Sequence, residues 1–321
     1  MPTSPAPAYR WMLMCVLVVV LQIAVEPTSA AEGVGGTGEP AAKVTAPPKD
    51  IVEFFDLNPF YTKHVSVAGF PIVSSDRVAD VALLEAAYVV RKMLAGNDAV
   101  REAMIANKTR LAIMALDEFT TDIPEHSDLE PAAYWDRRAR GLGATHWRPA
   151  VSAGEENLLR YPGDPYITES ILVHEFAHAI HQMGLETVDE TFDARLKAIY
   201  EQAMSEGLWE GLYAAENHHE YWAEGVQSWF DTNRKNDALH NHVDTRELLK
   251  AYDPRLAKLI SEVFKGTPWR YTLPADRLEE AHLKGYESDA APRFRWPRAV
   301  TEAFNKHNAE REAAERRSRE K

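Results

Sequence analysis

A chain of 321 residues with 45% hydrophobic content has the apolar material for one large packed domain or two small ones, which places it among globular proteins. Its net charge of −13 argues against nucleic acid as a partner, because neutralising phosphates takes a basic surface. The one cysteine, Cys15, excludes both an internal disulfide and a metal site built on thiolates, so any metal must be taken by histidines and carboxylates, the donor set of catalytic sites more than of structural ones.

Arg10 precedes an apolar run over 11–25 broken only by Gln22, and Glu26-Pro27-Thr28-Ser29-Ala30 follows it. That is the layout of an export signal over 1–30 with cleavage after Ala30. The run is short for a membrane span, which takes ~20 residues. The expectation is a secreted or periplasmic protein with no stable membrane insertion after cleavage; an uncleaved N-terminal anchor is the alternative. Residues 31–50 are rich in Gly, Pro and Ala and lack a hydrophobic period, so they read as a flexible leader.

An N-terminal helical lobe is expected over 51–107. Val78, Val81, Leu84 and Tyr88 recur at helical spacing over 76–94, and Asn97-Asp98 can cap a second helix through 107. The continuous apolar run Leu111-Ala112-Ile113-Met114-Ala115-Leu116 reads as a buried strand, and 149–159 as a second one, with 134–143 irregular between them. Tyr161-Pro162-Gly163-Asp164-Pro165 is a turn cluster, after which a helix can begin near Thr168 and close at Gly184. Further helices are expected after the capping-box pattern Thr187-Val188-Asp189-Glu190, over 217–231, after Asp244-Thr245, and over 254–264. The end, 299–321, alternates acid and base and reads as a solvated charged helix.

The helix after the turn cluster carries His174-Glu175-Phe176-Ala177-His178, an HExxH inside an otherwise apolar stretch. On a helix, residues four apart lie on one face about 5.4 Å along the axis, so His174 and His178 can offer imidazole nitrogens to one zinc ion. Glu175 then sits beside the metal, where a carboxylate can act as general base for an attacking water. Without a cation, two histidines and a glutamate among Ile, Leu, Val and Phe would be costly to bury. His181 shares the face of His174 and His178 but lies ~10 Å along the axis from His174, and reads as a cleft-lining or capped residue rather than a ligand.

A catalytic zinc needs a third protein ligand and an open position. The pattern HExxHxxGxxH fails, since His181 stands where its glycine would be and Gly184 where its last histidine would be. A glutamate on a second helix remains. Glu216, Glu220 and Glu224 all lie on 216–230, and Glu220 and Glu224 share a face one turn apart, a repulsive pair unless a cation or solvent relieves it. Glu220 is assigned to the metal and Glu224 to the Nδ1 proton of a metal-bound imidazole, with the reverse order as the alternative. His218 and His219 are adjacent and point in different directions; one can line the site, and both read more readily as surface residues.

The pairing of His174-Glu175-Phe176-Ala177-His178 with Glu220-Tyr221-Trp222-Ala223-Glu224 resembles the gluzincin metallopeptidases, most closely the anthrax lethal factor-like and secreted Pro-Pro endopeptidase group, whose second motif runs Glu-aromatic-aromatic-Ala-Glu. Tyr213 stands seven residues before Glu220, where that group places a tyrosine, and 42 residues separate His178 from Glu220. The resemblance covers roughly 108–232 and departs at Gly225-Val226-Gln227 and in the long segment before the strands. It implies an α+β, zincin-like metallopeptidase fold, mostly helical with a small mixed sheet ahead of the HExxH helix, and a catalytic domain over 108–298. It also implies that Tyr213 donates to the oxyanion of the tetrahedral intermediate. The expected function is a secreted zinc endopeptidase acting on a peptide or protein in extended conformation, added to the sheet edge near 151–159. A non-catalytic binding or toxin-like protein and a hydrolase of a non-peptide amide are the alternatives.

Overall fold

A five-stranded mixed sheet with helices packed on it forms the frame of the site. The computed structural model describes residues 42–319 except residue 266, within one unit spanning Ala41–Lys321. The expected export signal and most of the leader lie outside the described residues. Among the described residues, no helix is long and apolar enough to cross a membrane.

In chain order, α1 (Lys49–Phe55) leads to a hairpin of β1 (Lys63–Val67) and β2 (Phe70–Ser74), then α2 (Asp80–Met93) and α3 (Asp98–Ala106). β3 (Arg110–Met114), α4 (Ala132–Arg138), β4 (Gly141–Leu142), β5 (Ala150–Gly154) and α5 (Glu155–Leu158) precede α6 (Ile171–Ala179), which continues through a π-helical turn (Ile180–Leu185) into α7 (Glu186–Val188). Then come α8 (Phe192–Ser205), α9 (His218–Trp229), α10 (Arg246–Tyr252), α11 (Pro254–Val263) and α12 (Arg298–Arg319). The sheet order is β1-β2-β3-β5-β4, with β2, β3 and β5 parallel and the outer two strands antiparallel to their neighbours. Every residue of β2, β3 and β5 is buried, as expected for strands covered on both faces.

The segment 51–107, expected to be a helical lobe, contains the hairpin as well as helices. Ala68 and Gly69 both take positive φ (46° and 88°), the two-residue turn that suits the twist of paired strands. β2 then pairs in parallel with β3, so the sheet runs across the boundary expected at residue 108. Five other expectations are corrected. The second strand stops at Gly154, where α5 begins, and 134–143 is not irregular but holds most of α4 and all of β4. Gly184 does not end its helix: a Cβ there would lie 2.6 Å from Val100 Cγ1, so the glycine serves the close approach of α3. α8 starts after Thr191, with Asp189 Oδ1 accepting from Thr191 N (3.0 Å), rather than from the capping-box pattern. α12 is not wholly solvated either, since Phe304 stacks on Tyr134 of α4 at 5.4 Å and Arg137 lies over Trp296 and Phe304.

Two aromatic contacts lock the frame to the HExxH helix. Phe176 meets Phe70 of β2 edge to face at 5.5 Å, and Trp222 Nε1 of α9 donates to the Ala177 carbonyl at 2.9 Å. Between α9 and α11, Gly225 leaves room for Leu256 and Ile260, which a Cβ would meet at 2.6 and 2.9 Å. Arg140 and Glu156, both fully buried, form a bidentate pair at 2.5 and 2.8 Å that fixes the entry to β4.

The fold also buries a histidine against β5. His126 is 1% exposed and its Nε2 donates to Ala150 O at 3.3 Å, while burial lowers its pKa to about 4. The unfolded chain, near pH 6.5 for such a group, therefore binds more protons between pH 6.5 and 4, and stability is lost as pH falls through that window, by up to ~3 kcal/mol. Denaturant unfolding from pH 7 to 4.5 should show a shallower decline for His126→Gln than for wild type; parallel declines would exclude this group as the cause.

Candidate metal centre

α6 begins at Ser170, whose side chain caps Val173 N, and it buries one face against the sheet and another against α9. α9 begins at Asn217, whose Oδ1 accepts from His219 N and Glu220 N at 2.9 and 3.0 Å and so fixes the turn that carries Glu220. The two helices bring His174, His178 and Glu220 together. His174 Nε2 lies 3.2 Å from His178 Nε2 and 3.1 Å from Glu220 Oε2, and His178 Nε2 lies 3.3 Å from the same oxygen.

That triangle tests whether the residues fit a metal. Donors bound to zinc at ~2.0–2.1 Å with tetrahedral angles stand about 3.3–3.4 Å apart. The three edges come close to that, and the donor set, two imidazoles and a carboxylate, is that of a catalytic zinc. The histidines are nearly buried, at 7% and 8% exposure, so their facing nitrogens have little solvent to turn to.

The charges point the same way. Burial pulls His174 down, but the Glu220 hydrogen bond and the charges of Glu175, Glu220 and Glu224 outweigh it and lift the imidazole to about 10. Glu220 is opposed by burial and still held well below the usual carboxylate range by both histidines. A cluster of carboxylates thus retains a proton on an imidazole that would otherwise be neutral. A divalent cation at the triangle would supply that positive charge instead.

Gln227, not Glu224, orients His174. Gln227 Oε1 lies 2.8 Å from His174 Nδ1, and its amide nitrogen donates to Glu169 Oε2 and Ser170 O, both at 3.2 Å, which fixes which end of the amide faces the ring. Nδ1–H is then the donor, and Nε2 is the nitrogen that faces the triangle, free to coordinate once a cation replaces its proton. Glu224 Oε1 is 3.7 Å from Nδ1, and its carboxylate is engaged by Asn233 Nδ2 at 3.0 Å and His240 Nε2 at 3.5 Å. Helical geometry explains the difference. Seven residues from Glu220 brings Gln227 back to within ~20° of its direction, whereas four residues leaves Glu224 ~40° off on the other side.

Glu175, Tyr213, Arg138 and the β4 segment line one cavity of about 550 Å³ with the three donors. Burial raises the Glu175 pKa, with the two histidines opposing. Tyr213, in a short 3-10 turn, lies with its ring centroid 6.1 Å from that of His174. Burial first, and then Glu220 and Glu175, push its pKa up, so it keeps its proton; the charge of the Arg138 guanidinium, at the end of α4, opposes them. Sequence reasoning missed Arg138 and Gln227. Only Gln227 left a trace there, its spacing of seven from Glu220.

β4 lies unusually close to α6. A Cβ on Gly141 would stand 2.4 Å from Ile171 Cγ2 and 3.1 Å from Glu175 Cγ, and one on Gly143 would stand 2.8 Å from His178 Cβ. The expected docking edge near 151–159 is closed, because β5 is flanked by β3 and β4; the edge strand is β4. His219 also lines the cavity, while His181 is fully buried behind it and His218 pairs with Asp193 at 2.9 Å.

No family model matches the sequence, and no curated protein matches it. Among solved structures, that of the Pro-Pro endopeptidase from Paenibacillus alvei is similar over 60% of this chain and 96% of its own, with 15% identity and a TM-score of 0.42.

Proposed function

We propose that the chain is a secreted, zinc-dependent endopeptidase of gluzincin type. The observation that carries this reading is the triangle of His174, His178 and Glu220 with Glu175 beside it in an open cavity. A zinc ion held there would supply Lewis-acid polarisation of the scissile carbonyl and of the attacking water.

The remaining work falls to the chain. Gln227 holds His174 in the tautomer that leaves Nε2 free. Glu175, made more basic by its burial, takes a proton from the water and returns it to the departing amine. Tyr213 keeps its hydroxyl proton and donates it in a hydrogen bond to the oxyanion, with the positive charge of the Arg138 guanidinium in the same cavity. An extended peptide pairs with the free edge of β4, whose Gly141 and Leu142 line the cavity together with Gly143 just beyond it.

Incubation of the protein with a diverse peptide mixture, followed by mapping of new termini, should give internal cleavages that a chelator abolishes and added zinc restores. Cleavage that persists without metal would defeat the mechanism. Metal binding without any cleavage would favour a binding protein, and release of a non-peptide acyl group alone would move the substrate class.

A further inference from the structure

Behind the cavity wall lies a second group of metal-ligating side chains that the hydrolytic site does not use. His181 Nε2, Asp193 Oδ1 and a ring nitrogen of His219 lie within 4.8 Å of one another. Each comes from a different element. His181 belongs to the π-helical turn after α6, Asp193 to the first turn of α8 and His219 to the first turn of α9. π-helical turns are rare and concentrate at functional sites, and this one places a fully buried histidine between Phe192 and Trp222, with ring centroids at 5.4 and 6.2 Å.

The surroundings are rich in donors. His181 Nε2 lies 3.1 Å from Asp193 Oδ1 and 3.4 Å from Glu186 Oε1, and His218 Nε2 lies 2.9 Å from the same Asp193 oxygen. The ion-pair partners of both carboxylates are imidazoles. The three rings crowd, with centroids 4.0 Å apart for His218 and His219 and 5.2 Å for His181 and His219. Hydrogen bonds from His181 and His218 engage one Asp193 oxygen, and Gln182 Nε2 lies 3.4 Å from His219 Nδ1.

We propose that His181, Asp193 and His219 form a second divalent-cation site in the wall of the cleft, with the two-nitrogen, one-oxygen donor set that suits zinc. Bound there, the ion would tie α8 to the π-helical turn and to the start of α9, one residue before Glu220. The site is independent of peptide hydrolysis and stands or falls on stoichiometry.

The test uses the full chain without a polyhistidine tag, stripped with chelator and titrated with Co²⁺, followed by visible absorption, and with Zn²⁺, followed by bound metal after desalting. Wild type should take up two equivalents. Asp193→Asn and His219→Ala should each retain one, Glu220→Ala should retain the other, and Asp193→Asn combined with Glu220→Ala should retain none. Thermal unfolding of each apo variant reports whether it is folded, and the wild-type stoichiometry does not depend on any variant. A wild-type chain that binds one equivalent, or Asp193→Asn and His219→Ala chains that still bind two, would overturn the proposal. Loss of the Glu220-dependent equivalent alone would count against the hydrolytic centre and leave this site standing.

Discussion

Glu175→Gln should bind zinc with the stoichiometry of wild type and cleave peptides at least ~10²–10⁴-fold more slowly, the range a positioned general base supplies. Glutamine has the shape of glutamate and can occupy the same gap between α6 and β4, where the Glu175 Cγ lies against Gly141. It cannot accept a proton from water. The three donors are untouched, so the loss should fall on kcat, with substrate still bound. Cleavage mapping of the variant beside wild type, with bound metal measured on the same samples, separates the outcomes. Wild-type turnover in a zinc-loaded Glu175→Gln chain would remove Glu175 from the mechanism.

The second large effect should come from Glu220→Ala, which removes the single carboxylate oxygen that faces both histidine nitrogens. With two imidazoles left, zinc affinity should fall by several orders of magnitude and hydrolysis should vanish at ordinary metal concentrations. Gln227→Ala makes the graded comparison. It spares all three donors but releases the His174 ring from its 2.8 Å hydrogen bond, so affinity should weaken about 10–100-fold, with activity recovered at high zinc. Competition with a chromophoric chelator measures both. If Glu220→Ala binds zinc as wild type does and Glu224→Ala does not, the ligand assignment moves one turn along α9.

The candidate metal residues were legible because they sit on helices, where spacing translates directly into direction. His174 and His178 share a face by their separation of four, and Glu220 followed from the charge problem posed by paired carboxylates beside bulky aromatics. The assignment of Glu224 to His174 went astray by the same logic applied too coarsely, since the better-aligned position seven residues on holds an uncharged Gln227. The hairpin β1–β2 was hidden by its brevity, five residues a strand, and by the helical sequence after it. α4 and β4 were beyond reach for a different reason. A two-residue strand exists only because β5 and α6 are already in place, and Arg138 reaches the cavity it shares with Tyr213 through the packing of α4 on α12.

Gly141 and Gly143 carry a consequence for how such a site can diversify. With no side chain on the strand side of the contact, the approach of the edge proposed to pair with peptide is set by van der Waals contact of the β4 backbone with the Ile171, Glu175 and His178 side chains of α6. Under the proposed peptidase function, a lineage could therefore change what is cut by altering the loop after Gly143, the exposed Trp147 or the Arg138 wall, without disturbing the position of Glu175. The inverse change is closed to it. A single methyl group on either glycine would push strand from helix by tenths of an ångström or more, a displacement felt equally by every substrate, good or poor.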